Sequence, residues 1–445
     1  MFCGAALMRT GTGPRVVVVH RGARDAYQLS AALAGAGLLE RLVTDLYWPN
    51  DRPWAEALAA LLSAPICRRL LARYHPGVPA ALVDQSRVTG LSSLLLEKIK
   101  AVPFSSRQKA IRSTDAALGR KAGKLAARTG SFLLSYSYYG YDAFRSHGRP
   151  GALFQLHPHP LSVRRILQQE LADHPDCAAS LKQEWELSLP AQDFERLVAE
   201  TRLARQFLVA SSFTRRTLVE NGASPEAIRV IPYGVDLVRF TPSPPTPDTA
   251  AGPLRLLFVG TVNQRKGIKY LLEALRLLGP APVELSVCGR VVDDLRLFRS
   301  FGEQVRVRPS VTLPELLAAY READLFVFPS VAEGFGQVLL EALASGLPIL
   351  STTHTAAPDL IEEGREGFVV PPRRPDLVAA RIEWAIRHRA ELRDMKFAAR
   401  RRAEYFTWDR FRAGVVDAVR SFLATGEAPH SGPPERLLRK AAEYV

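Results

Sequence analysis

Cysteine is scarce and scattered. Cys3, Cys67, Cys177 and Cys288 are the four in 445 residues, and no pair has the close spacing of a zinc or redox site. This argues for a reducing compartment and against a disulfide framework. Long apolar runs are missing as well: no stretch of about 18 apolar residues occurs, so no membrane-spanning helix is expected. The opening MFCGAALMRTGTG lacks an apolar core followed by a cleavage site, so a secretory signal is not expected, and Met8 offers an alternative start. Zinc-finger spacing, RNP-like aromatic motifs and a basic-region helix are also lacking, and nucleic acid is not expected as a partner.

What is present is a basic chain of two-domain size. Its length suits two domains of roughly 200 residues each, and 47% hydrophobic residues is ordinary for a globular protein. The net charge is +14. Between Asp51 and Arg128 fourteen basic side chains stand against five acidic ones. There SSLLLEKIKAVPF interleaves cations with leucines, which fits an amphipathic face for an anionic membrane and equally a solvated basic surface.

The most informative stretch is FVFPSVAEGFGQVLLE, Phe326 to Glu341. Leu325 to Phe328 is a short apolar run between Asp324 and Pro329, which predicts a buried strand of a parallel sheet. Glu333 lies in the turn that follows. Gly334-Phe335-Gly336 then allows the backbone a close approach to a ligand. Val338, Leu339, Leu340, Ala342 and Leu343 predict a largely buried helix whose N-terminus makes an anion site. Glu333 and Glu341 are eight positions apart, about two turns at 5.4 Å each. One ligand touching both must be long, as a nucleotide sugar is; alternatively Glu333 caps the helix and Glu341 is a solvated or ion-paired helix residue.

This E-x7-E pattern, in ADLFVFPSVAEGFGQVLLEALASGLPIL, resembles the donor-site signature of retaining glycosyltransferases of the family 4 (group 1) type. The resemblance implies an α/β protein of two Rossmann-like domains facing each other across a cleft, the GT-B fold. Residues 14–240 are then the acceptor-binding domain, 241–253 a Pro- and Thr-rich linker, and 254–405 the nucleotide-sugar-binding domain. Residues 406–425 form a helix crossing back to the first domain, packed through Trp408 and Phe411, and 426–445 a weakly ordered tail.

Along the chain, RVVVV (Arg15 to Val19), a helix with Leu29, Ala32, Leu33 and Ala36 on one face, and a strand at Leu42 to Thr44 read as a βαβ unit. Ligands bind at the carboxyl ends of such strands. The loop His20 to Asp25 therefore opens into the cleft, without the G-x-G-x-x-G spacing of a dinucleotide site, and Arg21, Gly22 and Arg24 become acceptor candidates. From Trp54 to Arg128 the pattern is helical and basic, and a charged helix is expected around Glu184 to Arg205. His157 directly follows the strand Leu153 to Leu156. Read from the residues alone it is a cleft group or a histidine held by loop hydrogen bonds. The resemblance places such a histidine close to the transferred sugar, with His159 behind it.

In the second half, LRLLFVG ends at Gly260, and Arg265 and Lys266 stand beside Gly267 at a strand-to-helix turn, where fixed cations and free N–H groups can hold a diphosphate. Many family members carry an arginine directly after the strand's glycine. This chain has Thr261 there, and Arg265 is expected to take over the charge. Arg290 ends the next strand, and Thr312 precedes the helix after the one beyond; in the family these loops bracket the nucleobase. No Asp-x-Asp occurs, and Asp293-Asp294 follow no clear strand, so neither metal nor cofactor is expected. The leaving group falls to Arg265, Lys266 and the helix N-terminus before Val338.

The expected catalytic set is Arg265, Lys266, Glu333 and His157. The donor set is Gly260, Thr261, Arg290, Thr312, Gly334, Phe335, Gly336, Val338, Leu339 and Glu341, with Glu333 on sugar hydroxyls and Glu341 on the ribose. The reading is a retaining, metal-independent, hexosyl-type transferase in the cytoplasm or on the inner membrane face. Its partners would be a nucleotide sugar and a glycan or lipid-linked acceptor, in cell-surface glycan or glycolipid synthesis. A GT-B-fold epimerase and a non-catalytic sugar-binding or scaffold subunit are the alternatives. The retained Glu333 and Lys266 speak against the second.

Overall fold

A computed structural model of the chain describes residues 13–52, 55, 57, 64–86, 104–243, 252–292 and 295–425. The basic-leucine segment 92–104 lies almost wholly outside them, as do Asp293-Asp294, most of the linker, and the tail. The architecture is α/β, with two separate all-parallel sheets.

The first sheet contains β1 (Val16–Val19), β2 (Leu39–Thr44), β3 (Val83–Gln85), β4 (Phe132–Tyr136), β5 (Ala152–Gln155), β6 (Gln206–Val209) and β7 (Ile228–Val230), in the order β3-β2-β1-β4-β5-β6-β7. The second contains β8 (Leu254–Val259), β9 (Val283–Cys288), β10 (Val305–Arg308), β11 (Leu325–Phe328), β12 (Ile349–Thr352) and β13 (Gly367–Val370), in the order β10-β9-β8-β11-β12-β13. Helices cover both faces, so the central strands are buried on both sides and read as unbroken apolar runs, VVVV in β1 and LFVF in β11.

Two local expectations change. The stretch read as helical and basic between Trp54 and Arg128 contains the edge strand β3, whose three residues are too few for any period to show, and the helix before it ends near Leu71. The single charged helix expected at Glu184 to Arg205 is broken at Pro190 into Trp185–Ser188 and Ala191–Leu203, because proline cannot donate the interior hydrogen bond.

Each sheet has its own core, and Tyr233 packs against both. The last helix, Trp408–Thr425, places Phe411, Val415, Ala418, Val419 and Phe422 in the first core although it follows the second sheet in sequence. Among the described residues no helix is long and apolar enough to cross a membrane.

The sheets meet through loops at the carboxyl ends of their strands. Gly334, after β11, lies so close to β5 that a Cβ there would sit 2.0 Å from the Leu156 carbonyl oxygen. The Gly334 carbonyl in turn accepts from the Ser211 and Thr214 hydroxyls, the latter at 3.1 Å. Elsewhere on the seam, Glu170 on the helix Pro160–Asp173 is fully buried. It accepts from Gln264 Nε2 at 2.8 Å and Tyr270 Oη at 3.0 Å, and pairs with Arg373, all three from the second half. Arg373 reaches it from a left-handed backbone, φ 63°.

Candidate functional site

The loop after β8 supplies the cations, and its shape follows from two residues. The Asn263 side chain caps the short turn Gln264–Lys266, accepting from the Lys266 N–H at 3.2 Å. Gly267 closes the turn at φ 73°, where a Cβ would stand 1.9 Å from the Pro329 carbonyl oxygen. Only glycine combines that dihedral with that approach. The turn is thereby pressed against the end of β11, and the Lys266 ammonium forms an ion pair with Glu333. Burial tends to raise the Glu333 pKa, but Lys266 and Arg265 outweigh it and hold the carboxyl at about 2.

Arg265 already has protein partners. Its Nη1 lies 2.7 Å from Glu184 Oε2 and 3.5 Å from Glu186 Oε2, and its Nε donates to the Ala332 carbonyl at 3.0 Å. Burial works against its charge, yet Glu186, Glu184 and Glu333 keep it protonated. Asn263 Nδ2 also donates to Glu184, at 2.9 Å. Arg265 thereby ties the second half to a short segment of the first.

His157 follows β5 as expected. Burial foremost, then the Arg265 charge, lowers its pKa to about 3, so the imidazole is neutral near pH 7. Among the described residues its Nδ1 is buried with no hydrogen-bond partner. His159 is spent on structure: its ring accepts from the Leu161 N–H and contacts Thr201 at 3.1 Å, capping the next helix.

His157, Thr261, Arg265, Lys266, Arg290 and Glu333 line one cavity of about 380 Å³ between the two halves. The other named donor residues do not line it. Gly260 packs against Gly289, and Gly334 meets backbone of the first half rather than open space. Phe335 is a core residue, 5.0 Å from the Tyr233 ring, and Leu339 is buried. Val338 is half-buried beside the same core. Gly336 starts the helix Gln337–Ala344 from a left-handed conformation. Thr312 is exposed and its hydroxyl is used in a capping box with Glu315. Glu341 accepts from Tyr320 Oη at 2.9 Å, and burial raises its pKa. In the β1 loop, Arg21 pairs with Asp115 at 3.0 Å, the Gly22 N–H donates to Asp45 at 2.9 Å, and Arg24 lies near Tyr139.

Sequence reasoning missed Glu184, Trp185 and Asn263, all of which line the cavity. Asn263 was detectable as a cap three residues before Lys266. Glu184 and Trp185 carried no signal, since they open a stretch that reads as an ordinary charged helix. Among the described residues no group of three His, Cys, Asp or Glu is arranged to hold a metal ion.

Residues 253–388 match the family described as glycosyl transferases group 1. A D-inositol 3-phosphate glycosyltransferase of Geodermatophilus obscurus is 33% identical over 274 residues, 56% of this chain and 59% of that protein. A putative colanic acid biosynthesis glycosyltransferase, WcaL of Salmonella typhimurium, is 33% identical over 36% of this chain and 42% of its own length. The chain thus spans about half the length of these curated relatives. A sucrose-phosphate synthase from Thermosynechococcus elongatus superposes with TM-score 0.58 at 18% identity, covering 93% of this chain and 100% of that one. HepE of Anabaena, crystallised with UDP, gives TM-score 0.55 at 16% identity over 92% and 100%. These structures share the fold. The second half of the chain thus matches the group 1 glycosyl transferases, and the chain as a whole shares the GT-B fold of these structures.

Proposed function

We propose that the protein transfers a sugar from a nucleoside-diphosphate sugar to an acceptor hydroxyl, with retention and without a metal, in cell-surface glycan or glycolipid synthesis. The observation that carries the reading is the cavity in which the Lys266–Glu333 pair meets His157 across the seam.

The hard step is departure of the diphosphate, on which negative charge builds. Lys266 and the exposed Arg290 are cations on the second half's side of the cavity, and fixed donors there need no reorganisation as charge develops. The bond from the sugar's anomeric carbon to the diphosphate breaks, one to the acceptor oxygen forms, and the acceptor's proton ends on the released diphosphate or solvent. Glu333, held ionised, accepts from sugar hydroxyls and keeps Lys266 charged and aimed. Neutral His157 can donate or accept one hydrogen bond to the sugar.

A thermal-shift screen against nucleoside diphosphates and nucleotide sugars, with and without EDTA, tests this. A ligand at 100 times its Kd stabilises by about 2.7 kcal/mol, a shift of a few degrees. A shift with one nucleotide that survives EDTA and is lost in Lys266→Ala supports the reading. No shift with any of them removes it, and an inverted anomeric configuration in the product removes retention.

A further inference from the structure

The loop that carries Lys266, residues 263–270, has its side chains held from the other half of the chain. Asn263 Nδ2 donates to Glu184 at 2.9 Å, Gln264 Nε2 to Glu170 at 2.8 Å and Arg265 Nη1 to Glu184 at 2.7 Å. Further along, Lys269 Nζ lies 2.7 Å from Asp176, and Tyr270 Oη donates to Glu170 at 3.0 Å. Lys266 is the exception, since its ion-pair partner Glu333 belongs to its own half. That half grips mainly the backbone of the loop, where the Arg265 carbonyl accepts from the Val331 N–H at 3.0 Å.

The acids that reach across come from one stretch. Glu170 lies on the helix Pro160–Asp173, Asp176 in the turn Pro175–Cys177, and Glu184 directly before the helix Trp185–Ser188. Val163, Leu167, Cys177 and Leu181 give this stretch a small core apart from that of the first sheet, so the carboxylates keep their spacing. Glu170 is the centre of the hold. Gln264, Tyr270 and Arg373 all aim donors at it, which a carboxylate can satisfy with two oxygens; a glutamine has one oxygen, and its NH₂ would face a donor. Glu170 and Asp176 lie outside the wall of the donor cavity, whereas Asn263, Arg265 and Lys266 form part of it. These two acids can therefore influence a ligand only through the loop. Glu184 lines the cavity itself and takes up the Arg265 charge, so its removal combines two effects.

We infer that Glu170 is a positioning residue for the donor site, with Asp176 in support: it holds the loop 263–270, and Lys266 with it, in the arrangement that meets a diphosphate. Nucleotide binding by the second half then depends on an acid of the first. This rests on the transferase reading and adds to it what fixes the shape of the donor site. A loop ordered before its ligand arrives loses less entropy on binding, and that difference appears as affinity.

Hydrogen exchange and calorimetry on the full chain test this, with Glu170→Gln against wild type and UDP, GDP, ADP, CDP and dTDP as probes. Without nucleotide, the amides of 263–270 are expected to exchange at least about tenfold faster in the variant, while those of β11 keep their wild-type rates. The diphosphate that binds wild type is expected to bind the variant at least about fivefold more weakly. Should Glu170→Gln fail to fold, Tyr270→Phe combined with Asp176→Asn takes its place, since it removes two of the links and leaves no buried charge unpaired. Unchanged exchange in the loop overturns the inference, and so does faster exchange with unchanged nucleotide affinity. Faster exchange in the variant, together with a wild type that binds none of the five diphosphates, leaves the hold on the loop standing and removes the transferase reading instead.

Discussion

Glu333 and Glu341 belong to one sequence motif and live in opposite electrostatic worlds. Glu333 faces Lys266, with Arg265 behind it, and its pKa is held at about 2. Glu341 has a tyrosine for its hydrogen-bond partner, and burial raises its pKa. The spacing of two carboxylates on a helix and its preceding turn says nothing of this. It is decided by which side chain from elsewhere arrives opposite each of them, Lys266 from a strand-to-helix turn and Tyr320 from the helix Leu313–Glu322.

The comparison breaks most visibly at its cation. Lys266→Ala is expected to lower turnover by about 100-fold or more, measured as sugar transfer once the donor is known; near-normal turnover in folded protein would show that the leaving group relies on other donors. Glu333→Gln should destabilise the protein by about 1–3 kcal/mol at pH 7, because a partly buried ammonium loses its counter-ion. The sign with pH is fixed by the depressed folded pKa. The stabilising contribution of Glu333 is full above the ordinary carboxylate value of about 4.3 and is lost as pH falls toward 2. Melting curves of wild type and Glu333→Gln should therefore converge in that window.

A smaller effect is expected at Glu184. Removing its charge in Glu184→Gln releases Arg265 from one carboxylate that competes with a diphosphate. Nucleotide affinity should rise about fivefold, roughly 1 kcal/mol, by calorimetry; an unchanged or weaker Kd would mean that the pair helps to form the site. Least of all should happen at Glu341→Gln. Its raised pKa means that ionisation costs stability above the ordinary value, the reverse of Glu333. The variant should melt at or slightly above wild type at pH 7, within about 0.5 kcal/mol, and the gain should vanish below pH 4.

These two glutamates also mark what the sequence could disclose. The strand β11 was legible because it is a fully buried run bounded by turn residues, and it begins and ends where its apolar run does. The turn with Lys266 and Gly267 was legible from its local chemistry. The partners of Arg265 were not, since Glu184 and Glu186 lie some eighty residues away at the start of one short helix with no periodic signal. At Gly334 the close approach that glycine permits is to the carbonyl of Leu156, a neighbour from the other half of the chain. Local patterns reveal backbone requirements; which long-range partner meets them depends on packing. The edge strand β3 was invisible for a simpler reason: three residues cannot display a period.

Glu170 gives the seam a tempo. Its carboxylate finds its donors Gln264, Tyr270 and Arg373 only while the two halves face each other. Water would replace them if the halves parted, so little free energy separates the joined and parted hydrogen bonds. Arg373 would at the same moment be released from its left-handed backbone. Such a joint tells two arrangements apart without anchoring either.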